Sequence, residues 1–244
     1  MDYLEEARNR LLKLLSGKID MDLPVTVSPL PINEAIGEPH IEDLPLLKGK
    51  ERLLEAKIKD AKGQAFTDSP KSFKGSLKEA FSLDIAKCEN RAIFVATLNA
   101  VLRYLGFISK SIHCKDNAPL RCAFEILNLV KPFRKIGIIG FHPAIAQVLA
   151  SNVGVDNIMI TDLDKENIGK VKFGVEILDG ERYTDKLISE AQIVLLTGTT
   201  FINGTFSYIF EKISMTQKPY YVYGITASGI CRLLSLNHVC PYGY

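Results

Sequence analysis

The sequence predicts an α/β protein, with an α+β amino-terminal part and a smaller carboxyl-terminal part built on a parallel sheet. Two observations support this prediction. Hydrophobic residues make up 47% of the 244-residue chain, which is enough to bury a sizeable core. Helical and strand-like segments are mixed in the first half of the chain and alternate regularly in the second half. We therefore expect two domains, residues 1–131 and residues 132–244.

The charge and cysteine content argue against several classes of protein. The 30 basic and 28 acidic residues are interspersed, so no basic patch indicates nucleic acid or an anionic membrane as a partner. The chain lacks an apolar run of about 18 residues and a secretory signal. Five cysteines without a CxxC pair argue against a zinc finger. We expect a cytoplasmic protein that forms a homo-oligomer and binds neither nucleic acid nor membrane.

Helical spacing and short β-prone runs define the elements expected in the amino-terminal part. The leucines of the first segment recur at helical spacing, and Gly17 follows the last of them. Rough alternation on both sides of the turn-like AKGQ, residues 61–64, predicts a hairpin. In chain order we expect a helix over 2–15, short strands with tight connections over 25–45, the hairpin over 51–67, a polar loop over 67–76, and helices over 76–82 and 90–105.

Regular alternation of strands and helices defines the second half. It is preceded by a polar loop and a helix with Pro119 in its first turn, where the missing N–H costs nothing, and Pro132 ends that helix. Four apolar strands separated by helices predict a Rossmann-like parallel sheet covered on both faces. In order we expect strand 135–140, helix 143–151, strand 157–162, a loop, a helix near 184–190, strand 191–198, helix 204–213, strand 219–224 and helix 228–235.

The carboxyl ends of these strands are the expected binding site, because ligands of open parallel sheets bind there. Asp162 lies about twenty residues after Gly140, the spacing at which an acid contacts a ribose hydroxyl, although a helix cap is an equally simple role. The stretch 197–205 combines hydroxyl groups with a helix start and could hold an anion. The residues expected to contact a small polar ligand are Gly140, His142, Asp162, Asn167, Thr197, Gly198, Thr199 and Asn203.

The first of these turns, KIGIIGFHPAIA over residues 135–146, has an imidazole where a dinucleotide site has glycines. Pro143 fits the first helical position, so His142 falls at the N-cap and faces the crevice. A Phe-His-Pro turn does not let a diphosphate approach the backbone, which argues against a nicotinamide or flavin dinucleotide. His142 suits a metal ion, a proton transfer or a hydrogen bond to a smaller ligand. A histidine that only caps its helix is the alternative.

A second polar cluster, SIHCKDNAPLRCAFE over residues 111–125, contains the other candidate metal ligands. An imidazole with two thiols suits zinc, nickel or iron. We therefore consider His113, Cys114, Cys122 and His142 as a metal-binding set. A ligand-contacting or catalytic His/Cys pair, and simple packing of Cys122, remain alternatives. Cys240 is expected to lie in a carboxyl-terminal tail rather than at the site.

Several motifs in order resemble one family. They are IHCKDNAPLRCA (112–123), IGIIGFHPAI (136–145), TDLDKENIGK (161–170), FGVEILDG (173–180), LTGTTFINGT (196–205) and CPYG (240–243). With them the chain resembles the uncharacterised family labelled "putative heavy-metal chelation". The resemblance implies an enolase-N-terminal-like domain followed by a Rossmann-like domain. It also implies a site in the cleft between them and a link to metal or metallophore handling.

Two functions follow from these residues. The first is binding of a metal ion, a metal chelate or a small polar ligand in the cleft, with a transition-metal ion as the expected cofactor. The alternative is a transferase or lyase acting on a small polar metabolite, in which an adenosyl-type nucleoside lies against Asp162 and His142 is the acid or base. Whether the protein is an enzyme stays open at this stage.

Overall fold

Two β-sheets organise the chain in a computed structural model that describes residues 2–39, 44 and 46–244. The helices are α1 (Tyr3–Leu15), α2 (Ile32–Ile36), α3 (Leu77–Phe81), α4 (Cys88–Tyr104), α5 (Ala118–Val130), α6 (Pro143–Val153), α7 (Gly180–Glu190), α8 (Thr200–Asn203), α9 (Phe206–Thr216) and α10 (Ser228–Leu234). The strands are β1 (Pro24–Pro29), β2 (Arg52–Ile58), β3 (Ala61–Thr67), β4 (Phe73–Ser76), β5 (Ile136–Ile139), β6 (Ile158–Asp162), β7 (Val171–Lys172), β8 (Val175–Asp179), β9 (Ile193–Thr197), β10 (Tyr220–Tyr223) and β11 (His238–Val239). The predicted α/β class is confirmed.

The amino-terminal sheet has four antiparallel strands in the order β3-β2-β1-β4. The predicted hairpin is present as β2 and β3, but its predicted turn at 61–64 is wrong. Ala61 pairs with Ile58, so the turn consists of Lys59 and Asp60, and Lys59 adopts a positive φ of 53°. A two-residue turn of this kind needs residues in the left-handed region, and it leaves AKGQ free to begin β3.

Two further amino-terminal predictions are wrong. The expected polar loop 67–76 contains β4, which pairs with the free edge of β1 and has no alternation of its own to reveal it. The stretch 25–45, expected to form only short strands, contains α2, whose Ala35 and Ile36 are buried. Residues 40–43 and 45 of that stretch lie outside the described residues. In both cases packing against distant segments overrides local propensity.

The carboxyl-terminal sheet has seven strands in the order β11-β10-β9-β5-β6-β8-β7. All neighbouring strands are parallel except β7 and β8. The four predicted strands are present as β5, β6, β9 and β10. The prediction of a loop after β6 is wrong over residues 171–179, because this segment contains β7 and β8. Strand β11 was not predicted either. These additional strands lie towards the sheet edges, where short and half-exposed strands lack a continuous apolar run.

Strand order reverses between β5 and β9. The chain first extends the sheet from β5 through β6 to β8, then returns through α7 to add β9, β10 and β11 on the other side. Gly140 and Thr197 therefore lie side by side at the carboxyl ends. Gly140 has a φ of +91°, and a Cβ atom there would lie 2.5 Å from Thr197 Cγ2. This crevice is where open parallel sheets bind ligands.

Helix α4 packs between the two halves of the chain. Its residues are buried on every side from Ala92 to Leu102, as expected for a helix with no solvent face over that length. On one side it lies so close to β3 that a Cβ atom on Gly63 would collide with the Ala100 backbone nitrogen. On the other side it packs against α8 and α10. Lys131 and Pro132 separate α5 from β5, and a domain boundary there stays a prediction.

Asn99 on α4 connects the halves through hydrogen bonds. Its side-chain nitrogen donates to the carbonyl oxygens of Gln64 (2.9 Å), Thr226 (3.2 Å) and Ile225 (3.4 Å). Its side-chain oxygen accepts from the backbone N–H of Gly229 at 2.8 Å. The side chain is fully buried, so each of these bonds also prevents the burial of an unpaired backbone group.

No helix within the described ranges is both long and apolar enough to cross a lipid bilayer.

We expect Asn99→Ala to lower the free energy of unfolding by about 3 kcal/mol, because four backbone groups then lose their buried partner. Urea denaturation measures this loss. The matched control is Asn152→Ala, which removes the hydrogen bond from the exposed Asn152 to the Val148 carbonyl and should cost less than about 1 kcal/mol. Equal losses in the two variants would contradict the role of Asn99.

Candidate functional site

A cavity of about 910 Å³ opens at the carboxyl ends of β5, β6, β9 and β10. Its other walls come from the amino-terminal half, including the end of β3 and the loop before α5. Every residue predicted for the site lines this one cavity: Gly140, His142, Asp162, Asn167, Thr197, Gly198, Thr199, Asn203, His113, Cys114 and Cys122. Their role in binding stays a prediction, whereas their common location is a property of the fold.

His142 lies at the N-cap of α6, as Pro143 at the first helical position predicts. Its side chain makes no capping hydrogen bond, so the alternative of a simple capping histidine is wrong. Nδ1 is buried and has no hydrogen-bond partner among the described residues. The ring packs edge-on against Tyr223, with centroids 6.2 Å apart. Loss of hydration lowers the pKa of His142 to about 4, so the ring is neutral at pH 7.

His113 reaches the same cavity from the loop before α5. Its backbone N–H donates to Gln64 Oε1 at 2.7 Å, and its ring packs edge-on against Phe66 at 4.9 Å. Nδ1 lies 3.4 Å from the Ala35 carbonyl oxygen. Burial lowers the pKa of His113 to about 4, and the proximity of His142 contributes in the same direction. The two imidazoles are therefore both neutral and are close enough to influence each other.

Cys114 and Cys122 form a second pair on the cavity wall. The two thiols interact with each other, and this interaction lowers the pKa of Cys122 and raises that of Cys114. Burial raises the pKa of Cys114 further, while the backbone N–H of Tyr242 also favours the Cys122 thiolate. All five cysteines of the chain are free thiols. Cys122 is therefore the more nucleophilic and more readily metal-binding sulfur of the pair.

The prediction that Cys240 lies in a tail away from the site is wrong. Cys240 lines the cavity, and burial raises the pKa of its thiol to about 12. The segment is held in place by paired backbone hydrogen bonds between Ile112 and Tyr244. Lys110 Nζ also donates to the carbonyl oxygens of Cys240 and Pro241. These contacts are long-range, so local composition could not reveal them.

The predicted metal ligands occur as two pairs rather than as one ready-made coordination sphere. In the part of the chain that the structure describes, no three His, Cys, Asp or Glu side chains are arranged to hold a metal ion. A structural zinc site needs four such ligands and a catalytic one needs three. Any metal bound at either pair would therefore need additional donor atoms from elsewhere.

Asp162 organises the turn after β6. Its Oδ2 accepts from the Phe141 backbone N–H and from the Asn167 side chain, both at 3.1 Å, and its Oδ1 accepts from the Asp164 backbone N–H at 2.9 Å. The carboxylate thus holds the turns after β5 and β6 together. A ribose contact, one of the two roles considered for Asp162, would have to share these oxygens.

Many polar groups of the stretch 197–205 form hydrogen bonds within the protein. The hydroxyls of Thr197 and Thr199 lie 3.0 Å apart, and the Gly198 backbone N–H donates to the Tyr223 carbonyl oxygen at 2.9 Å. Asn203 Oδ1 accepts from the backbone N–H and the hydroxyl of Thr205. Ligand contact here stays a prediction that rests on the groups facing the cavity.

The site also contains charged residues that the sequence did not indicate. Glu51, which precedes β2, is partly buried and lines the cavity. Burial, together with the negative charges of Asp162 and Asp68, raises the pKa of the Glu51 carboxyl to about 7. The adjacent Lys50 pairs with Asp164 at 2.7 Å and with Glu166 at 2.9 Å. No local motif identifies Glu51, because its environment is created by strands that follow more than 100 residues later.

We expect acidification from pH 7 to pH 5 to destabilise the wild type more than a His142→Asn variant, by about 1–2 kcal/mol. The folded pKa of about 4 lies below the ordinary value of 6.5, so the unfolded chain binds a proton that the folded protein does not. Urea denaturation of both proteins at pH 7, 6 and 5 measures the difference, and groups common to both cancel. Parallel pH profiles would show that the ring is not held neutral.

The free energy of unfolding of the wild type should fall between pH 5 and pH 8. In Glu51→Gln this fall should be smaller by about 1–2 kcal/mol. The folded pKa of about 7 lies above the ordinary 4.5, so stability contributed by the neutral carboxyl is lost as the pH rises through 7. Glutamine keeps a neutral side chain at every pH. The control is Glu190→Gln at the exposed end of α7, where no such pH-dependent gain is expected. An equal effect of both substitutions would rule out a buried Glu51.

Comparison with known proteins matches this chain to one family. The sequence profile of DUF364, described as "Putative heavy-metal chelation", matches residues 123–236. This span includes His142 and the strand ends but not His113, Cys114, Cys122 or Cys240. No curated protein matches the chain.

Two solved structures have a similar fold. One is a protein of unknown function from the DUF364 family of Pyrococcus horikoshii, with a TM-score of 0.54 and 14% identity over 93% of this chain and 80% of that chain. The other is a DUF364 protein of unknown function from Desulfitobacterium hafniense DCB-2, with a TM-score of 0.54 and 13% identity over 95% of this chain and 82% of that chain. At such identities the likeness shows the fold alone. The resemblance indicated by the sequence motifs is confirmed: residues 123–236 match the DUF364 family, "Putative heavy-metal chelation", and both structural neighbours come from that family.

Proposed function

We propose that the cavity binds a metal chelate, that is, a small organic molecule carrying a transition-metal ion of borderline or soft character. One observation carries the proposal. Two imidazoles and three thiols line a single cavity, yet no three acidic, thiol or imidazole groups among the described residues form a coordination sphere. A protein with this arrangement supplies a pair of donors, and the remaining donors come from the molecule that brings the metal.

The chemistry of the donors fits such an ion. Because His113 and His142 are neutral at pH 7, each ring has one unprotonated nitrogen that can bind a metal. His142 Nδ1 is a buried polar atom without a partner, which is unfavourable unless a bound group compensates for it. Imidazole and thiol donors together favour zinc, nickel, copper or iron over magnesium or calcium. We assign the imidazole pair as the primary metal contact.

The size of the cavity supports a chelate over a bare ion. About 910 Å³ is far more than one ion needs and lies within the range of small-molecule sites. The strand ends at Thr197, Thr199 and Asn203 would then contact polar atoms of the organic part. An ion without a chelator would have to bind through two protein ligands and water.

The alternative function, a transferase or lyase with an adenosyl cofactor, is less well supported. The cavity is large enough for a nucleoside. However, the carboxylate that would bind the ribose, Asp162, already accepts three hydrogen bonds from Phe141, Asp164 and Asn167. His142 remains the residue that would act as acid or base in such an enzyme.

The strand order supports a finer description of the fold. Numbered along the chain from β5 without the antiparallel β7, the parallel strands lie in the order 3-2-1-4-5-6, which is that of dinucleotide-binding sheets. We therefore propose a Rossmann-like second domain. The antiparallel sheet with its helices is the part that we propose to be enolase-N-terminal-like. A cytoplasmic location and a homo-oligomeric state remain expectations.

Equilibrium dialysis of untagged protein against Ni(II)–iminodiacetate, a complex with open coordination positions, tests the proposal. We expect about one equivalent to be retained, and His142→Ala and His113→Ala each to weaken retention at least tenfold because each removes one donor. His238→Ala is the control, since His238 lies outside the cavity and its Nε2 is 2.9 Å from the Gly224 carbonyl oxygen. Retention that is absent, or that is unaffected by both cavity histidines, would refute the proposed function.

A further inference from the structure

The cavity is acidic although the protein as a whole is slightly basic. The chain has a net charge of +2, yet the charged residues that line the cavity in the described part of the chain are six acids and one lysine. They are Lys50, Glu51, Asp68, Asp162, Asp164, Glu166 and Glu181. With both histidines neutral, acidic groups outnumber basic ones in this lining; Asp68, Glu166 and Glu181 are exposed, whereas Glu51, Asp162 and Asp164 are partly buried.

Internal contacts account for some of these carboxylates but not for all. Lys50 pairs with Asp164 and Glu166 at the outer part of the wall. Asp162 is stabilised by its three hydrogen-bond donors. Asp68 Oδ1 accepts from the Ser69 hydroxyl at 2.9 Å. After these contacts are counted, Glu51 is the carboxyl group whose partner is still missing.

Glu51 has no partner of its own. Across the described residues, its carboxyl group accepts no hydrogen bond and pairs with no cation, although this partly buried residue lines the cavity. The neighbouring charges are those of Asp68 on the loop after β3 and of Asp162 and Asp164 at the end of β6. Burying a carboxyl group beside three like charges is unfavourable unless a positive group binds there.

We infer that the ligand of this cavity carries a protonated amine, and that Glu51 is the residue that binds it. The inference rests on the proposed function, and it adds the chemical class of the organic part: an amine-bearing chelator. Its metal lies towards the imidazoles and its ammonium group towards Glu51. An ammonium ion restores the charge balance of the wall and gives the unpartnered carboxylate a charge-assisted hydrogen bond.

A second metal ion at the acidic wall is not favoured. The acidic groups in the described ranges include no set of three placed to coordinate one ion. An ammonium ion needs no such convergence, because a single carboxylate and a nearby negative charge are enough to bind it. Binding of the ammonium group should be coupled to ionisation of Glu51, so the preference for the amine should grow from pH 6 to pH 8. The other titratable groups around Glu51 are Lys50, Asp68, Asp162, Asp164 and Tyr223.

Two matched Ni(II) complexes test the inference by calorimetry with the full-length protein. Both use iminodiacetate substituted on its nitrogen, one with a butyl arm and one with an aminobutyl arm. We expect the aminobutyl complex to bind at least tenfold tighter at pH 8, and Glu51→Gln to reduce this preference to less than about threefold. Glu190→Gln, outside the cavity, should leave the preference unchanged.

The outcomes separate the two proposals. If both complexes bind equally well and Glu51→Gln changes neither affinity, the amine inference is wrong while the chelate-binding function stands. If neither complex binds, both are wrong. If the amine preference persists in Glu51→Gln, another group recognises the ammonium ion and Glu51 is not the binding residue. A thermal melt of each variant verifies that the comparison is made on folded protein.

Discussion

The buried amide of Asn99 is the interaction on which the geometry of the site depends. It binds the backbone of β3 at Gln64 and the backbone after β10 at Thr226, so it fixes the two halves of the chain relative to each other. The Gln64 side chain in turn accepts the backbone N–H of His113. The position of one cavity imidazole is therefore set by hydrogen bonds that begin on α4, a helix that does not itself line the cavity.

This arrangement divides the cavity into two chemically different sides. Desolvation keeps both imidazoles neutral, which preserves their lone pairs, while the wall around Glu51 accumulates negative charge. Neutral nitrogen and sulfur donors are good ligands for transition metals, and carboxylates are good partners for ammonium groups. One ligand with a metal at one end and an amine at the other would satisfy both sides.

Sequence patterns identified the carboxyl-terminal half of the site because the carboxyl ends of parallel strands necessarily share one edge. Gly140, Asp162 and Thr197 could be placed together from strand predictions alone. The strands β4, β8 and β11 were missed, since each is short and is defined by its pairing partner rather than by its own apolar pattern.

The contribution of the amino-terminal half could be predicted only in part. Residue type alone identified His113, Cys114 and Cys122 as candidate ligands. Their spacing in the sequence did not require them to lie near His142. Glu51 and Cys240 could not be assigned, because their burial results from the docking of segments far apart in the chain. Tertiary contacts, not local preferences, decide such positions.

The hydrogen bonds across the cavity also determine how a ligand can be selected. The Phe66 backbone N–H donates to the Thr226 hydroxyl at 3.0 Å, alongside the contacts of Asn99, so opposite walls are cross-linked close to the binding space. A hinge motion would have to break several buried bonds at once. A ligand of this cavity would therefore have to fit between walls that these hydrogen bonds hold at one separation, so its size would decide whether it enters.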